Sequence, residues 1–222
     1  MPTSLSGPVA KPLSGAKPTA LVVLLHGVGA DGHDLISLAS YWAPLLPDAE
    51  FIAPDGPQPC DMAPYGRQWF SLQDRTPAVI FAGVSATAPI LDRFLDEALI
   101  TRGLDESRLV LVGFSQGTMM SLHVGPRRAQ PLAGILGFSG ALTGPDHLAA
   151  EIRSRPPVLL VHGEADPVVP FSMMALAAQT LKANQVPVET LACPRLGHSI
   201  DEAGLKRGGA FLQRVLGTTK EN

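Results

Sequence analysis

Three residues, met along the chain in the order Ser115, Asp166, His198, have the types and settings that acyl transfer requires. Ser115 is the centre of "GFSQG", with Gly113 and Gly117 two positions to either side. A serine hydroxyl is a weak nucleophile at neutral pH. It needs a base to take its proton and donors to hold the oxyanion that its attack creates. G-x-S-x-G between a strand and a helix supplies a sharp turn that exposes such a hydroxyl at the end of a sheet, and its two glycines leave room for the chain to double back. The apolar run "RLVLV" precedes this pentapeptide and a helical pattern over residues 115–124 contains its end, as the motif demands.

A base and the acid that orients it should follow in the order acid, then histidine. "VLLVHGEADPVVP" closes a strand pattern and carries Asp166 into the loop beyond it. "CPRLGHSI" puts His198 in the loop after the last strand pattern. His198 is expected to take the Ser115 proton and return it to the leaving group, while Asp166 fixes the imidazole tautomer. Glu164 competes for the acid role. Asp166 is preferred because "ADPVVP" reads as a turn that fixes its aspartate just before a helix. A turn aspartate or a surface histidine would each be unremarkable alone; three elements in this order and placement are not.

The glycine-rich turn "HGVGADG", opened by His26, can aim backbone N–H groups at an anion. The expected oxyanion donors are the Val28 N–H and the Gln116 N–H. The turn lacks G-K-[ST], so it does not read as a P-loop. No histidines pair at H-E-x-x-H spacing, and neither Cys60 nor Cys193 belongs to a C-x-x-C, so no metal and no cofactor are expected. Residues 54–87 are rich in Pro and Gly and read as one long functional loop. Within it Trp69, Phe70 and Leu72 are expected to form the apolar surface that holds the acyl group.

Those residues need a frame. Continuous apolar runs at 20–27, 49–54, 108–114, 134–140, 157–163 and 188–193 read as parallel strands covered on both faces. Helical patterns alternate with them at 34–46, 89–103, 115–124, 171–184 and 200–216. Ser199 with Glu202 forms a potential capping box for the last helix. The alternation predicts an α/β domain over residues 1–222, with a mostly parallel central sheet and helices on both faces. Only residues 141–156 separate two late strands, which leaves space for a short helix and no cap domain.

The composition is ordinary for a globular protein: 45% hydrophobic, 17% charged, formal charge −3. No basic stripe points to nucleic acid. The N-terminus lacks a signal-peptide pattern, and apolar runs such as "ALVVLL" are far short of the ~20 residues that span a bilayer. A cytoplasmic protein with two reduced thiols and no integral membrane association is the expectation.

The segments "LVVLLHGVGADG", "GRQWFSL", "GFSQG", "HGEADPVVP" and "LGHSI" together resemble the phospholipase/carboxylesterase family of α/β-hydrolases, which includes the acyl-protein thioesterases. The resemblance covers nearly the whole chain. It implies an α/β-hydrolase fold and hydrolysis of small acyl esters by Ser115, Asp166 and His198, with thioesters and lysophospholipids as related substrates. It also implies backbone donors at Val28 and Gln116, acyl contacts near Trp69 and, because some members are dimers, a homodimer. One departure is Ser71, where the family pattern after the phenylalanine would carry an acid. Two other readings stay open at this point: a non-catalytic module that binds a small acyl ligand, and acyl transfer or perhydrolysis by the same triad.

Overall fold

Runs such as "ALVVLL" and "LVLVGF" are apolar at every position because both of their faces are covered. The computed structural model describes residues 5–217. Along the chain lie β1 (Val9–Ala10), β2 (Ala20–Leu25), α1 (Gly32–Ile36), α2 (Ala39–Trp42), β3 (Ala49–Ile52), β4 (Gln58–Pro59) and β5 (Arg67–Gln68). They are followed by α3 (Pro77–Arg102), β6 (Leu109–Phe114), α4 (Gln116–Val124), β7 (Gly134–Phe138) and α5 (Pro145–Glu151). β8 (Val158–Gly163), α6 (Ser172–Ala183), β9 (Val188–Cys193) and α7 (Glu202–Val215) complete the order.

Seven strands form one sheet in the order β1-β3-β2-β6-β7-β8-β9. Only β1 runs antiparallel, pairing Val9 with Ile52 and Ala10 with Phe51 at the edge. The sheet turns both ways from β2, with β3 on one side and β6 on the other. Open α/β sheets collect their ligands at such a switch point, outside the carboxyl ends of the strands. Alternate residues of β2 show how the layers are filled. Val22 and Leu24 face a core shared with Trp42 and Phe211 from α2 and α7. Leu21, Val23 and Leu25 face the opposite core, with Leu91 and Leu95 of α3 and Met120 of α4.

Several boundaries differ from the sequence reading, each for a local reason. The long loop expected at 54–87 ends early, because α3 begins at Pro77 and runs through Pro89 to Arg102. Pro89 looked like a helix start; it is instead an interior proline on the exposed face. α3 is also long and apolar enough to cross a membrane by length and composition, which the shorter runs had not suggested. Leu91, Phe94, Leu95, Ala98 and Leu99 nevertheless pack it on the sheet. The helix expected at 34–46 is broken into α1, α2 and a 3-10 turn at Ala43–Leu45. There the Ser37 hydroxyl donates to Asp34 O and the Ser40 hydroxyl to Ser37 O, both at 2.7 Å, and Pro44 brings no N–H. α7 is capped by Asp201, whose Oδ1 accepts the Gly204 N–H at 2.8 Å, so the Ser199–Glu202 box does not form the cap. The segment between β7 and β8 holds only the short α5, as expected.

Candidate active site

β6 ends at Phe114 and α4 begins at Gln116, so Ser115 alone makes the turn between them. Its backbone has φ 54° and ψ −114°, outside the regions that a residue with a Cβ ordinarily adopts. Such strain costs about 1–3 kcal/mol and persists only where its surroundings over-determine it. Here the Ser115 N–H donates to Phe138 O at 2.9 Å, and the Thr118 and Met119 N–H groups donate to Ser115 O at 3.0 and 3.2 Å. The flanking glycines are required by close approach. A Cβ on Gly113 would lie 2.4 Å from the Gly117 carbonyl carbon, and one on Gly117 would lie 1.8 Å from Leu25 O.

Asp166 follows β8 and His198 follows β9, and the two meet. His198 Nδ1 lies 2.8 Å from Asp166 Oδ2. The carboxylate accepts the Nδ1 proton there, leaving the Nε2 lone pair free to act as a base. Asp166 Oδ1 accepts the Val168 and Val169 N–H groups at 2.8 and 2.9 Å, and the side chain is fully buried. Burial pushes this carboxyl up. The hydrogen bonds from His198, Val169 and Val168, with the His198 charge, outweigh it and hold the group below its ordinary value. His162 supports the same turn: its Nε2 donates to Val169 O at 2.9 Å and lies 3.2 Å from Asp166 Oδ2. Glu164, the competing acid, is exposed.

Ser115 and His198 line one cavity of about 710 Å³. Among the described residues no hydrogen bond joins Ser115 Oγ to the imidazole; contacts of this kind commonly tighten only around bound substrate. Gly27 and Val28 line the same cavity, and a Cβ on Gly27 would lie 3.3 Å from Ser115 Cβ. Gln116 is the first residue of α4, where N–H groups lack intrahelical acceptors and the helix dipole favours negative charge. Among the described residues neither the Val28 nor the Gln116 N–H donates to a protein acceptor. Leu72, Ile80, Met119, Leu142 and Met173 form apolar wall, and Arg75 and Asp146 bring opposite charges to it.

Two expectations for the acyl surface fail. Leu72 lines the cavity, but Trp69 and Phe70 do not. Trp69 is 0% and Phe70 2% exposed, both inside the core beneath the site. The reason is polar as well as apolar. The Trp69 indole N–H donates to His26 O at 3.0 Å, and its backbone is bonded on both sides, so the ring is drawn inward. Sequence reasoning also missed two roles. The Gln116 side chain accepts the Trp69 N–H at 2.9 Å and donates to Phe70 O at 2.7 Å. His26 is fully buried, with Nδ1 2.7 Å from Gly27 O and Nε2 accepting the Gly56 N–H at 2.8 Å. Burial is the largest influence on its imidazole and draws it below the ordinary value, against the Gly27 carbonyl bond and the charges of Asp55 and Asp31. Its place directly before a glycine-rich turn was a signal; nothing in the sequence linked Gln116 to residues 69–70.

Known proteins are similar to this chain in sequence and in fold. The family model described as Phospholipase/Carboxylesterase matches residues 12–216. An acyl-protein thioesterase 1 of Gibberella zeae is 30% identical over 215 residues, covering 89% of this chain and 91% of that protein. Esterase YpfH of Escherichia coli is 29% identical over 84% of this chain and 78% of its own length. Among solved structures, the esterase PE8 superposes with a TM-score of 0.92 at 41% identity, covering 96% of this chain and all of that one. A Bacillus cereus carboxylesterase, at 17% identity and a TM-score of 0.76, shares the fold. That fold is the α/β-hydrolase fold.

Proposed function

The chain belongs to the phospholipase/carboxylesterase family and is a carboxylic ester hydrolase, and we propose that it cleaves short- to medium-chain acyl esters through Ser115, His198 and Asp166. One observation carries the reading: a strained serine and an Asp-bound histidine open onto the same largely apolar cavity. His198 Nε2 removes the Ser115 proton as Oγ attacks the ester carbonyl. The tetrahedral oxyanion is held by the Val28 and Gln116 N–H groups, at the positive end of α4. His198 then protonates the leaving alcohol, and water repeats the sequence on the acyl-enzyme. Asp166 stays ionised throughout and stabilises the imidazolium.

The relatives named acyl-protein thioesterase support acyl-thioesters as a second substrate class, since the same attack and the same oxyanion serve both. A cytoplasmic setting belongs to this reading, supported by the free thiols Cys60 and Cys193. So does a single domain, supported by the one seven-stranded sheet within residues 5–217; the ends of the 1–222 span lie outside the described residues. Dimerisation, implied for some family members, is decided by sedimentation equilibrium. The substrate reading is tested with p-nitrophenyl esters from acetate to palmitate and with matching thioesters. Each buried methylene is worth about 0.8 kcal/mol, so kcat/KM should rise about fourfold per methylene until the cavity is full, then fall. With no cap over the site among the described residues, no rate jump should appear at the solubility limit. Equal rates across all chain lengths would contradict binding of the acyl group in this cavity.

A further inference from the structure

We propose that His26 is a positioning residue for the oxyanion hole: its neutral imidazole sets the direction of the Val28 N–H, and Trp69 and Gln116 tie that donor to the second one. The inference rests on the esterase reading above.

A peptide unit is planar, and its C=O and N–H point in opposite directions. The Gly27 carbonyl and the Val28 N–H belong to the same unit, so whatever holds the carbonyl aims the N–H. What holds it is the His26 ring. The Gly56 N–H donates to Nε2 at 2.8 Å, which leaves the ring proton on Nδ1, and Nδ1 donates it to Gly27 O at 2.7 Å. Only a neutral imidazole of this one tautomer can make both bonds. No other side-chain type combines an acceptor and a donor in that rigid ring geometry, and the ring is 0% exposed, so water does not compete.

The second donor must keep its distance from the first. The β2–β6 ladder ends at Leu25 opposite Gly113, before either donor is reached. Trp69 spans the remaining gap. Its indole N–H donates to His26 O at 3.0 Å, its backbone N–H donates to Gln116 Oε1 at 2.9 Å, and Thr87 Oγ1 donates to its carbonyl at 2.9 Å. The Gln116 amide is completed by its bond to Phe70 O. The two N–H groups of Trp69 thus link the two donor segments while α3 holds its carbonyl, and its ring lies against His26 with centroids 5.6 Å apart. Donors must fall about 2.7–3.1 Å from the oxyanion, and a misplacement of about 1 Å can cost roughly 10²-fold in rate.

The test uses the full chain with p-nitrophenyl acetate as substrate and phenylboronic acid as the tetrahedral probe. His26→Leu should lower kcat about 10²-fold with KM changed less than about threefold, and weaken boronate inhibition by a similar factor. His26→Asn, which keeps a donor near the Nδ1 position, should recover about tenfold of the loss. Trp69→Phe keeps an aromatic ring but loses the indole N–H and part of the buried ring volume. It should lower kcat about three- to tenfold at constant KM, and it decides the matter if His26→Leu does not fold. Loss that tracks only the folded fraction, or a rise in KM with kcat preserved, overturns the proposal; so does wild-type kcat in Trp69→Phe. Those outcomes leave the esterase reading intact provided that Ser115→Ala is inactive. A wild-type protein without esterase activity would instead remove that reading and this inference together.

Discussion

Gln116 works twice, once through its backbone and once through its side chain. Because the proposed oxyanion donor is its N–H, a change to alanine preserves that donor. The same change strips partners from the Trp69 N–H and the Phe70 carbonyl, both buried beside it. An unsatisfied buried group costs about 1–3 kcal/mol, so Gln116→Ala should lower the unfolding midpoint in urea clearly and not merely trim activity. An unchanged midpoint would mean that water or a shifted backbone replaces the amide. The contrast with Ser115 shows what the sequence could and could not say about single residues. Ser115, Asp166 and His198 each sit at the end of a local strand pattern, and local pattern is what sequence displays. The inward turn of Trp69 depends on His26 and Gln116, which are distant along the chain, and no local signal carries it.

α4 illustrates the same limit at the scale of an element. Its strand-turn-helix entry was legible from two glycines, and its short course to Val124 from Gly125-Pro126. The start of α3 was not legible, because Pro89 imitated a first-turn proline while tertiary packing extended the helix past it. α4 also buries a histidine that the mechanism does not use. His123 is drawn down to about 4, chiefly by burial and then by the Arg127 charge, so it is neutral in the folded protein at pH 7. The unfolded chain takes up this proton at about pH 6.5, the folded chain only near 4. Stability therefore falls as pH drops through that window and levels off below it, by an upper bound on the order of 3 kcal/mol. His123→Phe, which can keep an aromatic contact with Phe81, should lose less stability between pH 6.5 and 4 than the wild type. Parallel stability curves for the two proteins, measured by urea unfolding, would contradict this role of burial.

For the whole molecule, the switch point beside β2 gathers the loop of Val28, the turn of Ser115 and the loops of Asp166 and His198 around one cavity. This much follows from a parallel sheet whose strand ends all point the same way, and it was readable in the alternation of elements. The cavity's real walls were not, because α3, α5 and α6 each contribute to it from distant parts of the chain. Chain-length preference should accordingly respond to Met173 and not to exposure of Trp69. Met173→Trp, which adds bulk to the wall, should shift the preferred p-nitrophenyl ester to a shorter acyl chain while leaving acetate hydrolysis within about threefold. An unshifted preference would place the acyl group elsewhere. The claim on which all of this depends is that Ser115 is the activated nucleophile. Diisopropyl fluorophosphate should add one diisopropylphosphoryl group, located by peptide mass mapping to Ser115, with activity lost in step with labelling. Ser115→Ala should neither label nor retain more than about 10⁻⁴ of the wild-type kcat. Label at another residue, or substantial hydrolysis by a folded Ser115→Ala protein, would contradict the account.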